Sequence, residues 1–209
     1  GYDAVERTLE VSAALGRVEV VLTLPIRLRE ELVVRAVRAE PHDPVTKSQL
    51  DRHQIEAVNR GQEMPFVMGS LPSITFQSDA GNDAGYAYFS IRGIGQTRLN
   101  VTLDGVPLQD PEDQALYFSN VGGFASVVES VQVQRGVGTS SVGSASYGGS
   151  VNFASVNPGE TAAVEAQIGG GSWGTARGTA ALHSGRLAGG LAFYGRVSAQ
   201  TSDGFRDHA

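Results

Sequence analysis

The feature that most constrains this chain is a period-two alternation of apolar and polar residues that runs through everything after Pro158. In 164–168 the apolar Val164, Ala166 and Ile168 alternate with Glu165 and Gln167. In 175–183, Ala176, Gly178, Ala180 and Leu182 oppose Thr175, Arg177, Thr179 and His183. In 191–200, Leu191, Phe193, Val197 and Ala199 oppose Tyr194, Arg196, Ser198 and Gln200. Successive side chains of a strand point to opposite faces, so the pattern predicts consecutive strands, each with one apolar and one polar side, joined by short Gly-containing turns. Two architectures need such a dyad. One is a transmembrane β-barrel with lipid outside and water inside; the other is an antiparallel sheet with one solvated face. The alternation alone leaves both open.

Composition narrows the classes. Apolar stretches are broken within about ten residues by Arg, Glu or Gly, too short for a helix to cross a bilayer, so any membrane role must use strands. The 27 glycines exceed ordinary usage but follow no collagen period, and they sit at turns and bends. A net charge of −6 argues against a phosphate-binding surface, and nucleic acid is not an expected partner. With no Cys there is no disulfide framework and no thiolate nucleophile or ligand. The chain begins at Gly1 without the charged and apolar regions of a signal peptide, and so reads as a mature or excised segment.

Ahead of the alternating strands, residues 1–28 contain two stretches of β character, 5–13 and 17–24, joined near Gly16 and closed by Pro25, which predict a hairpin. Residues 29–40 form a β-branched run between charges, and Pro41 and Pro44 keep it extended. A helix should follow, with Ser48 as N-cap, Asp51 three residues on, Leu50, Ile55 and Val58 on the apolar side and Gly61 as the stop. Between 71 and 157 short strands, at 88–92, 99–104, 131–135 and 151–154, alternate with Gly-rich bends, and a short helix is expected at about 124–129. This is a compact α+β unit.

Four motifs in that unit carry a resemblance: Ser90-Ile-Arg-Gly93, Val101-Thr-Leu-Asp-Gly-Val-Pro-Leu108, Val128-Glu-Ser-Val-Gln-Val-Gln-Arg-Gly136 and Gly143-Ser-Ala-Ser-Tyr-Gly-Gly-Ser-Val-Asn-Phe153. In this order and spacing they resemble the plug domain of TonB-dependent outer-membrane receptors. Upstream, Glu31-Leu-Val-Val-Arg-Ala36 resembles a TonB box, although Arg35 stands where the box usually has Thr or another small residue. The hairpin before it resembles the end of a carboxypeptidase-regulatory-like β-sandwich. Downstream, Gly171-Ser-Trp-Gly-Thr175 and Ser202-Asp-Gly-Phe-Arg206 look like turns at the start of a barrel.

The resemblance implies an α+β plug followed by the first antiparallel strands of a transmembrane β-barrel, preceded by the remnant of a sandwich. The implied divisions are 1–28 for the remnant, 29–45 for the box and linker, 46–158 for the plug and 159–209 for the truncated barrel. It implies energised import of a scarce nutrient such as an iron–siderophore complex, in the outer membrane of a Gram-negative bacterium. The implied partners are the TonB C-terminal domain with its inner-membrane energising complex, outer-membrane lipid and a small-molecule or oligosaccharide cargo. Glu31, Leu32, Val33, Val34, Arg35 and Ala36 would form the TonB-binding strand. Arg92 and Arg135 would pair with barrel carboxylates and hold the plug. Asp79, Asp83 and Tyr86 in one loop, and Gln109, Asp110, Glu112, Asp113 and Tyr117 in another, would face the substrate.

Other chemistry finds little support. Gly169-Gly-Gly-Ser-Trp-Gly174 matches a dinucleotide fingerprint literally but lies between two alternating strands, with no helix to present to a pyrophosphate. His42, His53, His183 and His208 are too scattered for a ligand cluster, and no Gly-x-Ser-x-Gly elbow occurs. No enzyme, cofactor or metal site is expected. The rival is a soluble, Gly-rich β module that binds a ligand such as a sugar; it would require the apolar sides of the last three strands to face a protein core.

Overall fold

The computed structural model describes residues 38–40, 42–79, 83–137 and 147–204. The chain divides into two compact units, Gly1–Glu30 and Glu31–Ala209, and all described residues belong to the second. The expected hairpin at 1–28, the segment Glu31 to Ala36, and the residues 143–146 and 205–206 of the quoted motifs lie outside the described residues.

Strand β1 (Thr46–Leu50) leads directly into helix α1 (Arg52–Val58). Ser48 therefore lies in a strand, and the helix cap is Asp51. Its carboxylate accepts from the Gln54 N–H at 2.8 Å, while the Gln54 side chain accepts from the Asp51 N–H at 2.9 Å. Both Ser48-x-x-Asp51 and Asp51-x-x-Gln54 satisfy the capping-box pattern. The choice falls on the second because residues 46–50 pair with a strand far along the chain. The helix ends at Val58 with Asn59 as C-cap, ahead of Gly61. A second helix, α2 (Met64–Met68), was not expected; it has Pro in its first turn and buries Met64, Pro65, Val67 and Met68.

Strands β2 (Ile74–Ser78), β3 (Ala87–Ile91) and β4 (Ile94–Gly95) form one antiparallel sheet. Strands β5 (Asn100–Leu103), β6 (Val106–Pro107), β7 (Val128–Arg135) and β8 (Gly149–Ser155) join β1 in a five-stranded sheet of order β1-β7-β8-β5-β6. In that sheet β5 and β8 run parallel and the other pairs antiparallel. Two hairpins share one turn chemistry. Arg92 and Gly93 (φ 52° and 79°) join β3 to β4, and Asp104 and Gly105 (φ 51° and 83°) join β5 to β6. Consecutive positive φ values define the type I′ turn, whose twist matches that of the strands. The helix expected at 124–129 is only a 3₁₀ turn, Phe124–Ser126, because β7 starts at Val128 and claims the rest for its pairing with β8.

The five-stranded sheet has two unlike faces. Val131, Val133, Val151, Phe153 and Val101 point to a core shared with Ile55, Met64, Val67, Met68, Phe89 and Ile91. At its centre Phe118 meets Phe124 and Phe153 at ring-centroid distances of 5.7 and 6.3 Å. The opposite face carries Thr102, Ser130, Gln132, Gln134, Ser150 and Asn152, all buried. Buried polar groups need partners. Thr102 donates to Asn152 Oδ1 at 2.9 Å and Gln134 donates to Gln132 Oε1 at 3.1 Å.

The last strands, β9 (Ala162–Gly170), β10 (Ala176–Ser184) and β11 (Tyr194–Thr201), form an open antiparallel meander of order β11-β10-β9. Register places Leu182 beside Val164, Ala180 between Ala166 and Val197, and Gly178 between Ile168 and Ala199 on one side. That side faces away from the protein: Ile168 is 95% exposed and Val197 72%. The other side turns Arg177 toward the α+β unit, where it bonds Ser126 and Asn59. Among the described residues no helix is long and apolar enough to cross a membrane, which says nothing of strands.

Candidate functional site

The two loops singled out as substrate-facing come together. Tyr86, at the end of the β2–β3 connection, stacks edge-on against Tyr117 at a centroid distance of 6.0 Å and an interplanar angle of 85°. Asp79 closes its own loop by an N–H bond to the Tyr86 carbonyl at 3.0 Å, and its carboxylate accepts from the Tyr88 hydroxyl at 3.3 Å. Tyr117 donates to Asp113 at 2.5 Å. That bond, followed by the Ala115 N–H, holds the Asp113 carboxyl below its ordinary value, and pushes the Tyr117 phenol up to about 12. At neutral pH the pair is therefore a carboxylate held by a neutral phenol. Asp83, Glu112 and Asp110 are exposed beside it. The result is an aromatic and acidic rim assembled from two segments some thirty residues apart in sequence.

Gln109 does not take part in that rim. Its amide donates to the carbonyls of Leu99, Gln96 and Gln114 at 2.7, 3.0 and 3.2 Å, and its oxygen accepts from the Val101 N–H at 3.2 Å. These four bonds tie Gln109 to the backbone of residues 96–101 and of its own loop, the work of a scaffold. Gln96, buried, ties the same loop through the Leu116 carbonyl at 2.9 Å.

Glu63 was not singled out from the sequence. It precedes α2, its N–H bonds the Asp83 carbonyl at 2.8 Å, and its carboxylate accepts a backbone bond from Gly85. It is 9% exposed, and burial raises its carboxyl above the ordinary value. Glu63 thus anchors the loop that carries Asp83 and Tyr86. The only sequence signal was Pro65, which marks a helix start.

Arg92 and Arg135 flank one corner of the fold. The Arg92 N–H bonds the Ser73 carbonyl at 2.9 Å, with its side chain exposed. The Arg135 guanidinium reaches the adjoining Pro72 carbonyl at 3.4 Å, the Lys47 carbonyl at 3.4 Å and the Ser48 hydroxyl at 2.8 Å. The described residues begin at Arg38, two residues after the expected TonB-binding strand. Arg38 donates to Ser130 Oγ, Ser130 O and Asn152 O at 2.9, 3.0 and 2.9 Å. Ala39 and Gln132 exchange two bonds, at 2.7 and 3.2 Å. Burial lowers the Arg38 guanidinium, against the opposing pull of Asp104. Among the described residues no group of three or more His, Asp or Glu is arranged to hold a metal.

Two of the motif glycines, Gly148 and Gly149, are explained by close approach. A Cβ on Gly148 would fall 2.6 Å from Ile94 Cγ2 and 3.1 Å from the Arg98 carbonyl. One on Gly149 would fall 2.6 Å from the Gln134 carbonyl of the neighbouring strand.

A search of curated proteins found no match. Solved structures match the fold. The siderophore receptor PiuA from Acinetobacter baumannii is 20% identical with a TM-score of 0.60, over 79% of this chain and 22% of that one. FpvA of P. aeruginosa, bound to heterologous pyoverdines, is 18% identical with a TM-score of 0.59, over 77% and 21%. The alcaligin outer-membrane receptor FauA from Bordetella pertussis is 21% identical with a TM-score of 0.57, over 79% and 28%. The chain thus spans less than a third of the length of these receptors. The model of the TonB-dependent receptor plug domain matches residues 42–150, more than half of the 209 residues, and the chain belongs to that family.

Proposed function

We propose that this chain is the gating part of an outer-membrane importer: the end of a sandwich at 1–28, a TonB-binding strand and linker at 29–45, a plug at 46–158 and the first wall strands at 159–209. The family is one of receptors and transporters rather than enzymes. The observation that carries the reading is the orientation of β9–β11. Their polar side meets the plug, and Val164, Ile168, Leu182 and Val197 turn outward, where a bilayer would bury them. A soluble module would need those side chains in a protein core, and among the described residues none covers them.

In the proposed mechanism the plug closes the lumen of a barrel of about 22 strands. The outer membrane has no ATP and no useful ion gradient, so work arrives through the periplasm. Glu31 to Ala36 suit that handle: Leu32, Val33 and Val34 favour the extended state, and an extended peptide adds to a sheet edge through main-chain bonds and bears load along its axis. Arg92 and Arg135 hold the plug against wall carboxylates until the pull arrives. The Tyr86–Tyr117 rim meets the cargo. An iron–siderophore complex is the favoured cargo class, since PiuA, FauA and pyoverdine-bound FpvA share this fold.

The test is uptake of labelled candidate cargoes by cells expressing the full-length receptor, with TonB present or absent. Uptake should require TonB. Val34→Pro removes a backbone donor and should strongly weaken binding of the TonB C-terminal domain; unchanged affinity would remove the handle assignment.

A further inference from the structure

The wall reaches the plug through two arginines, and under each of them the plug has a glycine. Arg177 of β10 donates to Ser126 Oγ at 3.1 Å and to Asn59 Oδ1 at 3.5 Å. A Cβ on Gly61, where φ is +100°, would fall 2.6 Å from Gln200 Oε1 and 2.9 Å from Arg177 Cδ. Arg196 of β11 lies over Gly123, where φ is +70° and a Cβ would fall 2.6 Å from Arg196 Nη2. Both glycines have backbone conformations that other residues rarely adopt, and both leave a depression that a side chain would fill. Ser126 is the hub between them: Asn59 also donates to its hydroxyl at 2.9 Å, and Arg52 of α1 donates to its carbonyl at 3.0 Å.

The acceptors offered to Arg177 are neutral. Carboxylates lie in the same seam, yet Glu56 is paired with Arg52 at 2.6 Å and Glu165 with His183 at 3.3 Å. Arg196 keeps Nε and Nη2 buried with no acceptor among the described residues. Beside it is a polar cavity of about 20 Å³ between Arg52, Asn59, Ser126, Glu165 and Arg196, enough for one water. Separating a buried ion pair leaves an uncompensated charge, which is strongly opposed. A guanidinium leaving a hydroxyl, an amide and a water exchanges them for other waters at little cost.

We propose that Arg177 and Arg196 are positioning residues that seat the plug against the wall, a releasable contact distinct from the plug-borne Arg92 and Arg135. The proposal rests on the reading of the chain as plug and wall of an outer-membrane receptor. It is tested in the full-length receptor, in cells lacking TonB, by entry of a hydrophilic antibiotic too large for general pores. R177Q/R196Q should raise entry roughly tenfold, the size set by one hydrogen bond from a charged donor. The barrel should stay folded, as shown by heat-modifiable electrophoretic mobility. Gly123→Ala, which keeps both arginines but fills one depression, should raise entry in the same direction, and R177K/R196K should restore part of the exclusion. A folded R177Q/R196Q receptor that excludes the antibiotic as well as its parent overturns the seat and leaves the receptor reading standing. A parent receptor found in the aqueous fraction, without heat-modifiable mobility, overturns both.

Discussion

Glu63 shows how one buried carboxyl links stability to a candidate ligand loop. Burial raises its proton affinity in the folded state above that in the unfolded chain. The sign follows from linkage: a raised folded value means extra stability below the ordinary carboxylate value, lost as pH rises through the raised one. Glu63→Gln keeps an oxygen for the Gly85 bond and carries no charge. The variant should match its parent near pH 4 and exceed it in stability at pH 7, measured by urea denaturation of the 209-residue chain in detergent. A gap that shrinks as pH rises would contradict the assignment. Gln109 makes the complementary point. Its type and loop position were compatible with ligand contact, but four bonds to the backbone make it a scaffold.

Among the elements, the pairing of β7 with β8 leaves little tolerance. Gly149 stands opposite Arg135 with φ 146°, and the atom its Cβ would meet is a backbone oxygen rather than the end of a flexible side chain. Gly149→Ala must therefore shift the strand itself, and we expect a loss of more than about 2 kcal/mol by the same denaturation. An unchanged midpoint would show that β8 can move without cost. Glycine pairs and turn dipeptides of this kind were legible because their chemistry is local. Strands β1 and β2 were not. Thr46–Leu50 carries Lys47 and an exposed first residue, and it is a strand because β7, some 85 residues later, pairs with it. The same pairing moved the helix cap from Ser48 to Asp51. Helix α2 was hidden for another reason: five residues, almost all buried, leave no periodic polar face to read.

At the scale of the whole molecule, the meander β9–β11 has β9 and β11 as open edges, and in the proposed reading it is one side of a larger wall. Its two faces should respond oppositely to charge. Val197→Arg places a guanidinium on the outward side and should lower the folding stability of the full-length receptor in lipid by about 2–4 kcal/mol. Ser198→Arg, one residue on and turned to the other face, should be tolerated. Equal effects at the two positions would remove the assignment of the outward side to hydrocarbon.

Sequence alone determined the features written in neighbouring residues. These are the alternation of the last strands, the Asp104-Gly105 turn, the glycine pair that admits a close backbone, and through four motifs in order the family itself. Tertiary structure alone decided what depends on residues remote along the chain. It placed the helix start by pairing 46–50 with β7, brought Tyr86 to Tyr117, tied Gln109 to the backbone, buried Glu63 beneath a loop and set the arginines of β10 and β11 over Gly61 and Gly123. The reason is physical. Backbone preference and side-chain period act over a few residues, whereas pairing register, burial and the choice of hydrogen-bond partner are settled only when distant segments compete for the same space.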